Sequence, residues 1–325
     1  MTGLTDKNPF KISFWFKTLR FSAKFCTLPE RSFVRIREVA MSTEPRAFDY
    51  IPRPPLADFI TSFKFYEQDG GSRGKERVLP TGTTELVINL RNDALRVFDC
   101  KTYDLRQSIA GSMICGVHSE FFVIDTSQKS AVLTVNFKVG CAFPFLGLPA
   151  AELHNKCVAL DTLWGTAARD LHDCLLEAET PKTKFHILEE YLLVRLIRSS
   201  ERHPAVNFAL KAFCRAPQRS IADVTERIGL SSRRFIEVFR REVGLTPRLF
   251  CRVQRFQQVV RFLKAGQLVD WTDIALACGY FDQAHFIHDF RAFSGLTPTA
   301  YLSQQGGHLN HIPLPDQGQG VKFLQ

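Results

Sequence analysis

The chain has 325 residues, 45% hydrophobic and 23% charged, which are the proportions of an ordinary globular protein and not of a disordered one. At roughly 100–200 residues per domain, that length predicts two domains. No apolar stretch approaches the roughly 18 residues of a membrane-crossing helix; the densest, Phe14–Phe16, is closed by Lys17. The nine cysteines include no C-x-x-C pair. An odd count without that spacing argues for reduced thiols and a cytoplasmic setting, against a disulfide framework or a zinc finger.

The net charge of +9 is unevenly spread. Residues 1–40 carry 8 Lys/Arg against 3 Asp/Glu, and residues 201–305 carry 15 against 9. The stretch between them carries 18 against 20, and is slightly acidic. A basic C-terminal third beside a neutral middle predicts a polyanionic partner for one domain only.

In chain order, residues 1–40 are basic and aromatic and lack a secretory signal's apolar core; they are expected to be a leader preceding Met41. From about Arg46 to Gly147 the texture is β. Runs such as Glu85–Leu90 and Ala131–Phe137 are rich in branched and aromatic residues and bounded by turn formers. They predict a small antiparallel barrel or sandwich. Two helices follow, at Thr166–Ala178 and Lys184–Ser199, the second with a Leu188, Leu192, Leu196 stripe that either pairs two protomers into a homodimer or packs on its own barrel. Arg198–Pro204 is polar and ends in Pro, which makes it the expected linker between a sensing or dimerising domain, 46–200, and a helical domain, 201–305. The tail, 306–325, has scattered Gly and Pro and is expected to be disordered.

The helical domain contains a repeat. Gly244-Leu245-Thr246-Pro247 recurs as Gly295-Leu296-Thr297-Pro298, and Phe235 and Phe239 recur as Phe286 and Phe290 at the same offset of 51 positions. Ile221, Val224 and Gly229 match Trp271, Ile274 and Gly279 at an offset of 50. Each copy reads as a short helix, a glycine turn and a second helix: Ile221–Ile228 then Ser232–Val243, and Thr272–Cys278 then Asp282–Ser294. That is a helix-turn-helix, whose second helix fits the DNA major groove. Phe250–Lys264 between the copies predicts a further helix, with Val253, Phe256, Val260 and Leu263 on one face, acting as a rigid spacer.

With Asp273-Ile274-Ala275-x-x-Cys278-Gly279-Tyr280-x-Asp282-x-x-x-Phe286-x-x-x-Phe290 and then Gly295-x-Thr297-Pro298-x-x-Tyr301, the second copy closely resembles the signature of AraC/XylS-type transcriptional regulators. The resemblance covers about residues 205–303. It implies two helix-turn-helix units joined by a long helix, double-stranded DNA bound across two successive major grooves, and RNA polymerase as a further partner. Three positions depart from the pattern. Relatives carry a small hydroxyl residue where Ala284 stands, and Arg where His288 and Leu302 stand. The second unit is therefore expected to bind more weakly. Residues Val78–Leu86, Val135–Phe145 and Leu163-Trp164-Gly165 resemble, less specifically, the partner domain of one branch of the family. In better-known branches that domain is a cupin-like barrel binding a small effector.

The DNA-facing candidates are Ser232, Arg233, Arg234, Glu237, Arg240 and Arg241 in the first copy, and Gln283, Ala284, His285, His288 and Arg291 in the second. Arg233 and Arg234, near the helix start, are expected to read bases, while Arg240 and Arg241 are expected to hold phosphates. Phe235, Phe239, Phe286 and Phe290 are core. No H-x-H or H-x-x-x-H pair occurs, so no metal or other cofactor is predicted, and His118 and His154 read as ordinary polar residues. Cys251 and Cys278 read as core fillers. A redox-sensing thiol among Cys100, Cys115, Cys141, Cys157 and Cys174 depends on local charge that sequence does not display. No P-loop or G-x-G-x-x-G is present. The alternative from another class is a DNA-localised enzyme of alkylation-repair type using an N-terminal cysteine.

Overall fold

In the computed structural model, the stretch with β texture forms two antiparallel sheets. The described residues are 37–39, 46–68, 74–91, 94–126, 130–196, 202–265, 270–306 and 308–314. The strands are β1 (Arg37–Val39), β2 (Arg46–Tyr50), β3 (Ile60–Gln68), β4 (Lys75–Val78), β5 (Glu85–Asn89), β6 (Ala94–Phe98), β7 (Leu105–Ala110), β8 (Ser112–Cys115), β9 (Phe122–Asp125), β10 (Ser130–Phe137), β11 (Cys157–Ala159) and β12 (His311–Pro313). One sheet has the order β1-β2-β3-β10-β5-β8-β11 and the other β12-β4-β9-β6-β7. Alternate residues bury on the inner face, Phe63 and Phe65 in β3, Leu86 and Ile88 in β5, and Leu133, Val135 and Phe137 in β10, as a period of two requires. Apart from the edge strand β1, the expected leader lies outside the described residues.

Helices α1 (Phe143–Leu146), α2 (Leu160–Trp164), α3 (Thr166–Glu177) and α4 (Pro181–Leu196) follow the strands. Helix α4 lies on the first sheet: Phe185 stacks on Tyr50, with centroids 5.3 Å apart. The buried Glu189 carboxylate accepts from the Tyr50 hydroxyl at 2.8 Å and from the Arg53 backbone N–H at 3.0 Å. Burial, with the Glu189 carboxylate beside it, pushes the Tyr50 phenol up to about 12. Leu188 and Leu192 are wholly buried against this chain. Of the two alternatives for the stripe, Leu188 and Leu192 thus follow the one that packs on this chain's own fold, and Leu196 is half-buried.

Among the described residues seven further helices follow: α5 (Pro204–Arg215), α6 (Ile221–Ile228), α7 (Ser232–Val243), α8 (Pro247–Lys264), α9 (Trp271–Ala277), α10 (Gln283–Ser294) and α11 (Pro298–Gln304). Their core is a run of edge-to-face rings from Phe213 through Phe239 to Phe250, and from Phe256 through Phe290 to Tyr301. This core is continuous with Leu79, Val117, Phe121 and Val123 of the β region, and from Ile36 onward the chain is one unit.

The polar segment expected as a linker is pinned where it is described. The Arg202 guanidinium donates to the Gly140 carbonyl at 2.6 Å, and the His203 backbone N–H donates to Glu242 at 3.2 Å. The tail also differs from expectation. Strand β12 pairs with β4, Ile312 is buried, and the Tyr301 hydroxyl donates to the Leu309 carbonyl. A lone isoleucine between His311 and Pro313 carries too little sequence signal to announce a strand. Residues 315–325 lie outside the description.

Candidate nucleic-acid interface

Both copies of the repeat are built from the same local devices. At the start of each recognition helix a side-chain oxygen accepts an otherwise unpaired backbone N–H: Ser231 takes that of Arg234 at 3.3 Å, and Asp282 takes that of His285 at 2.7 Å. The turns need left-handed backbone, and Gly229 and Gly279 supply it with φ of +71° and +76°. At Gly279 a Cβ would also lie 2.7 Å from Gln218. Phe235, Phe239, Phe286 and Phe290 are fully buried, which turns the polar face of each helix outward.

In α7, Ser232, Arg233, Arg234, Glu237, Arg240 and Arg241 are all exposed. Arg234 pairs with Glu237 at 3.0 Å; an exposed pair of this kind adds little stability and opens readily. The C-terminal end of α7 docks on the 3-10 turn Ala150–Leu153. There Gly244 passes so close to the Ala150 carbonyl that a Cβ would stand 3.2 Å from it. The Arg241 guanidinium leans over the Phe143 ring at 5.9 Å. The two arginines expected to hold phosphates thus sit toward the docked end, and Arg233 and Arg234 toward the open one.

In α10, Ala284, His288 and Arg291 are exposed and Gln283 and His285 half-buried. The sequence reading passed over Asp289, which is only 2% exposed and gathers the unit's cations. Arg252 of α8 donates to it through Nη2 at 2.7 Å and Nε at 3.2 Å. Arg255 lies at 4.0 Å, and His285 and His288 at 3.8 Å. These groups line a cleft of about 610 Å3 between the two units, which Arg219 and Arg248 complete. Four arginines against one aspartate make it strongly positive. A signal was present in the sequence: Arg248, Arg252 and Arg255 recur at helical spacing, along one side of α8 beside its apolar stripe.

Burial pushes the Cys251 thiol up to about 12 and that of Cys278 up to about 11, as unreactive fillers require. Among the described residues, no group of three or more His, Cys, Asp or Glu is disposed to hold a metal ion, and no helix is long and apolar enough to cross a membrane.

Comparison with known proteins agrees with this anatomy. Residues 224–304 match a helix-turn-helix domain family, and residues 49–159 match a domain of unknown function (DUF6597). An uncharacterized HTH-type transcriptional regulator of Haemophilus influenzae is 30% identical over 118 residues, 36% of this chain and 39% of the relative. The match thus spans about two fifths of that protein's length. Among solved structures, ToxT from Vibrio cholerae is similar over 76% of this chain and 99% of its own, at 11% identity and a TM-score of 0.43. A probable AraC family transcriptional regulator from Rhodopseudomonas palustris is 29% identical over 31% of this chain and 96% of its own, with a TM-score of 0.29. The C-terminal region is a double helix-turn-helix domain. Its signature residues resemble those of AraC-type regulators.

Proposed function

We propose that this chain is a sequence-specific DNA-binding transcriptional regulator whose helices α7 and α10 enter two successive major grooves of one duplex. The observation that carries this reading is the repeated capped helix start, exposed in both copies, on either side of an arginine-lined cleft. Arg233 and Arg234 would read base edges. Arg219, Arg248 and the cleft arginines would neutralise the phosphates that pass between the grooves. Arg240, Arg241 and Arg291 would hold backbone at the rims, and Ser232, Gln283, Ala284, His285 and His288 would face bases or sugar. RNA polymerase is the expected downstream partner, and the cell interior the expected setting. The β region would serve as the sensor, and its cavity of about 290 Å3 beneath Phe98, Phe121 and Phe122 is sized for a small effector. In vitro selection of duplex DNA with the full chain tests the reading. A recovered motif with two contact blocks about ten base pairs apart supports it, and no enrichment over random sequence overturns it.

A further inference from the structure

The β8–β11 edge of the first sheet holds two thiols that DNA binding does not use. Cys115 and Cys157 stand opposite each other in the antiparallel register. The neighbouring ladder bond runs from the Gly116 N–H to the Lys156 carbonyl at 2.9 Å, so the cysteines occupy a non-hydrogen-bonded position. Such positions bring Cα atoms to about 4.5 Å, within the roughly 4.4–6.8 Å that disulfides span. Both thiols are free and buried, and their Sγ atoms lie 3.2 Å apart.

The two sulfurs are not equivalent. Cys157 lines the 290 Å3 cavity, together with Arg106, His118 and Cys100, and Cys115 does not. The Cys157 Sγ lies 3.9 Å from His118 Nε2. The contact with Cys115, with His118 and Arg106 nearby, holds the Cys157 thiol below the usual range despite its burial. Cys115 is pushed up by the same contact and by burial. One thiol is thus set to attack and the other to follow.

We propose that Cys115 and Cys157 form a dithiol site oxidised by small peroxides, with Cys157 the attacking and Cys115 the resolving residue. The Cys157 thiolate attacks one oxygen of hydrogen peroxide entering the cavity. The O–O bond breaks, and the departing hydroxide takes up the proton released by Cys157 and leaves as water, so Cys157 becomes a sulfenic acid. The Cys115 sulfur then attacks the Cys157 sulfur. An S–S bond forms, and the sulfenic oxygen leaves as a second water carrying the Cys115 proton. Two thiols are oxidised, and one peroxide is reduced to two waters. Two residues beyond Cys115, Val117 packs beside Gly244 at the docked end of α7, which puts the dithiol next to the DNA-reading helix.

The test is thiol mapping of the full-length protein by mass spectrometry after graded hydrogen peroxide, with unreacted thiols blocked by iodoacetamide. The expected product is a Cys115–Cys157 linkage with the loss of two hydrogens, formed before the exposed Cys214 reacts. Cys115→Ser should leave a sulfenic acid at Cys157 that dimedone captures. Cys157→Ser should slow oxidation at Cys115 by at least about tenfold. Linkage of Cys157 to Cys100, or a pair still reduced once Cys214 is oxidised, overturns the assignment. Because the wild-type map needs no variant, a folding failure in either substitution leaves it decisive.

Discussion

Helices α7 and α10 begin alike, on a side chain bonded to the N–H three residues on, and end alike, on a left-handed glycine. They obtain positive charge differently. Helix α7 carries its own, with Arg233, Arg234, Arg240 and Arg241 exposed along one helix. Helix α10 has Ala284 and His288 at the matching face, and its surroundings are charged by Arg252 and Arg255 from the spacer helix, gathered by Asp289. The first unit presents charge on flexible stems. The second holds charge fixed by a buried carboxylate, so its affinity depends on fold integrity as much as on contact chemistry.

The largest expected effect comes from breaking that fixture. Arg252→Ala leaves the Asp289 carboxylate, 2% exposed, with its shortest hydrogen bonds removed and Arg255 no nearer than 4.0 Å. Removing one partner of a buried pair typically costs 3–5 kcal/mol. The partial exposure of Arg252 and the nearness of Arg255 put this case at about 3 kcal/mol. Urea unfolding measures it. A loss under about 1 kcal/mol would mean that the cluster is a solvated surface network.

Arg233→Ala and Arg234→Ala come next. At least one should weaken binding to a selected operator and relax base preference by about 1–3 kcal/mol. Arg240→Ala should weaken binding to all sequences alike and lower the salt slope by about one. Gel-shift titrations at several salt concentrations separate the two behaviours. If none of the three variants changes affinity, α7 is not the reading helix.

The repeat, the helix limits in both copies and the β character of the first half were legible in the sequence because each rests on local chemistry: capping side chains, turn glycines and periodic apolar faces. Ser232–Val243 was readable to the residue. The second recognition helix was readable within one, since Asp282 is its cap and not its first turn. What was not legible joins distant positions. Asp289 meets Arg252 across 37 residues, and Gln257 donates to the Pro80 carbonyl across 177. The strand order, the pinned Arg202 joint and strand β12 are of the same kind. So is the inward leucine stripe of α4, since periodicity identifies an apolar face without saying what covers it.

A substitution in the second unit sharpens the comparison further. His288 is exposed on α10, and His288→Arg supplies the permanent positive charge that the family resemblance leads one to expect there. Operator binding should tighten by up to about 1 kcal/mol, with the salt slope rising by about one charge. Methylation interference on the same duplex should show the second block strengthened and the separation of blocks unchanged. The spacer α8, 18 residues long, is an unbroken helix of roughly 27 Å. No gain in affinity would mean that α10 lies off the backbone at that point.

The smallest effect concerns the docked end of α7. His154 follows the 3-10 turn on which α7 rests, and its Nε2 lies 2.9 Å from the Ser119 hydroxyl in a hydrogen bond. Burial first, then His118 and the Arg240 guanidinium, hold this imidazole below its ordinary value of 6.5. As pH falls, the unfolded chain therefore takes up the proton before the folded protein does. The stability that neutral His154 contributes is complete above pH 6.5 and drains away below it, as pH passes through the lowered folded value. Glu242 at the same end of α7 is shifted upward by burial, so its contribution runs the opposite way, fullest at low pH and lost as pH rises. A single curve would mix the two. Urea midpoints at pH 7.5 and 5.5, taken for the wild type and for His154→Gln, isolate the histidine by difference. The wild type should lose more stability on acidification than the variant. Equal losses would remove His154 from the contact that holds the first recognition helix in place.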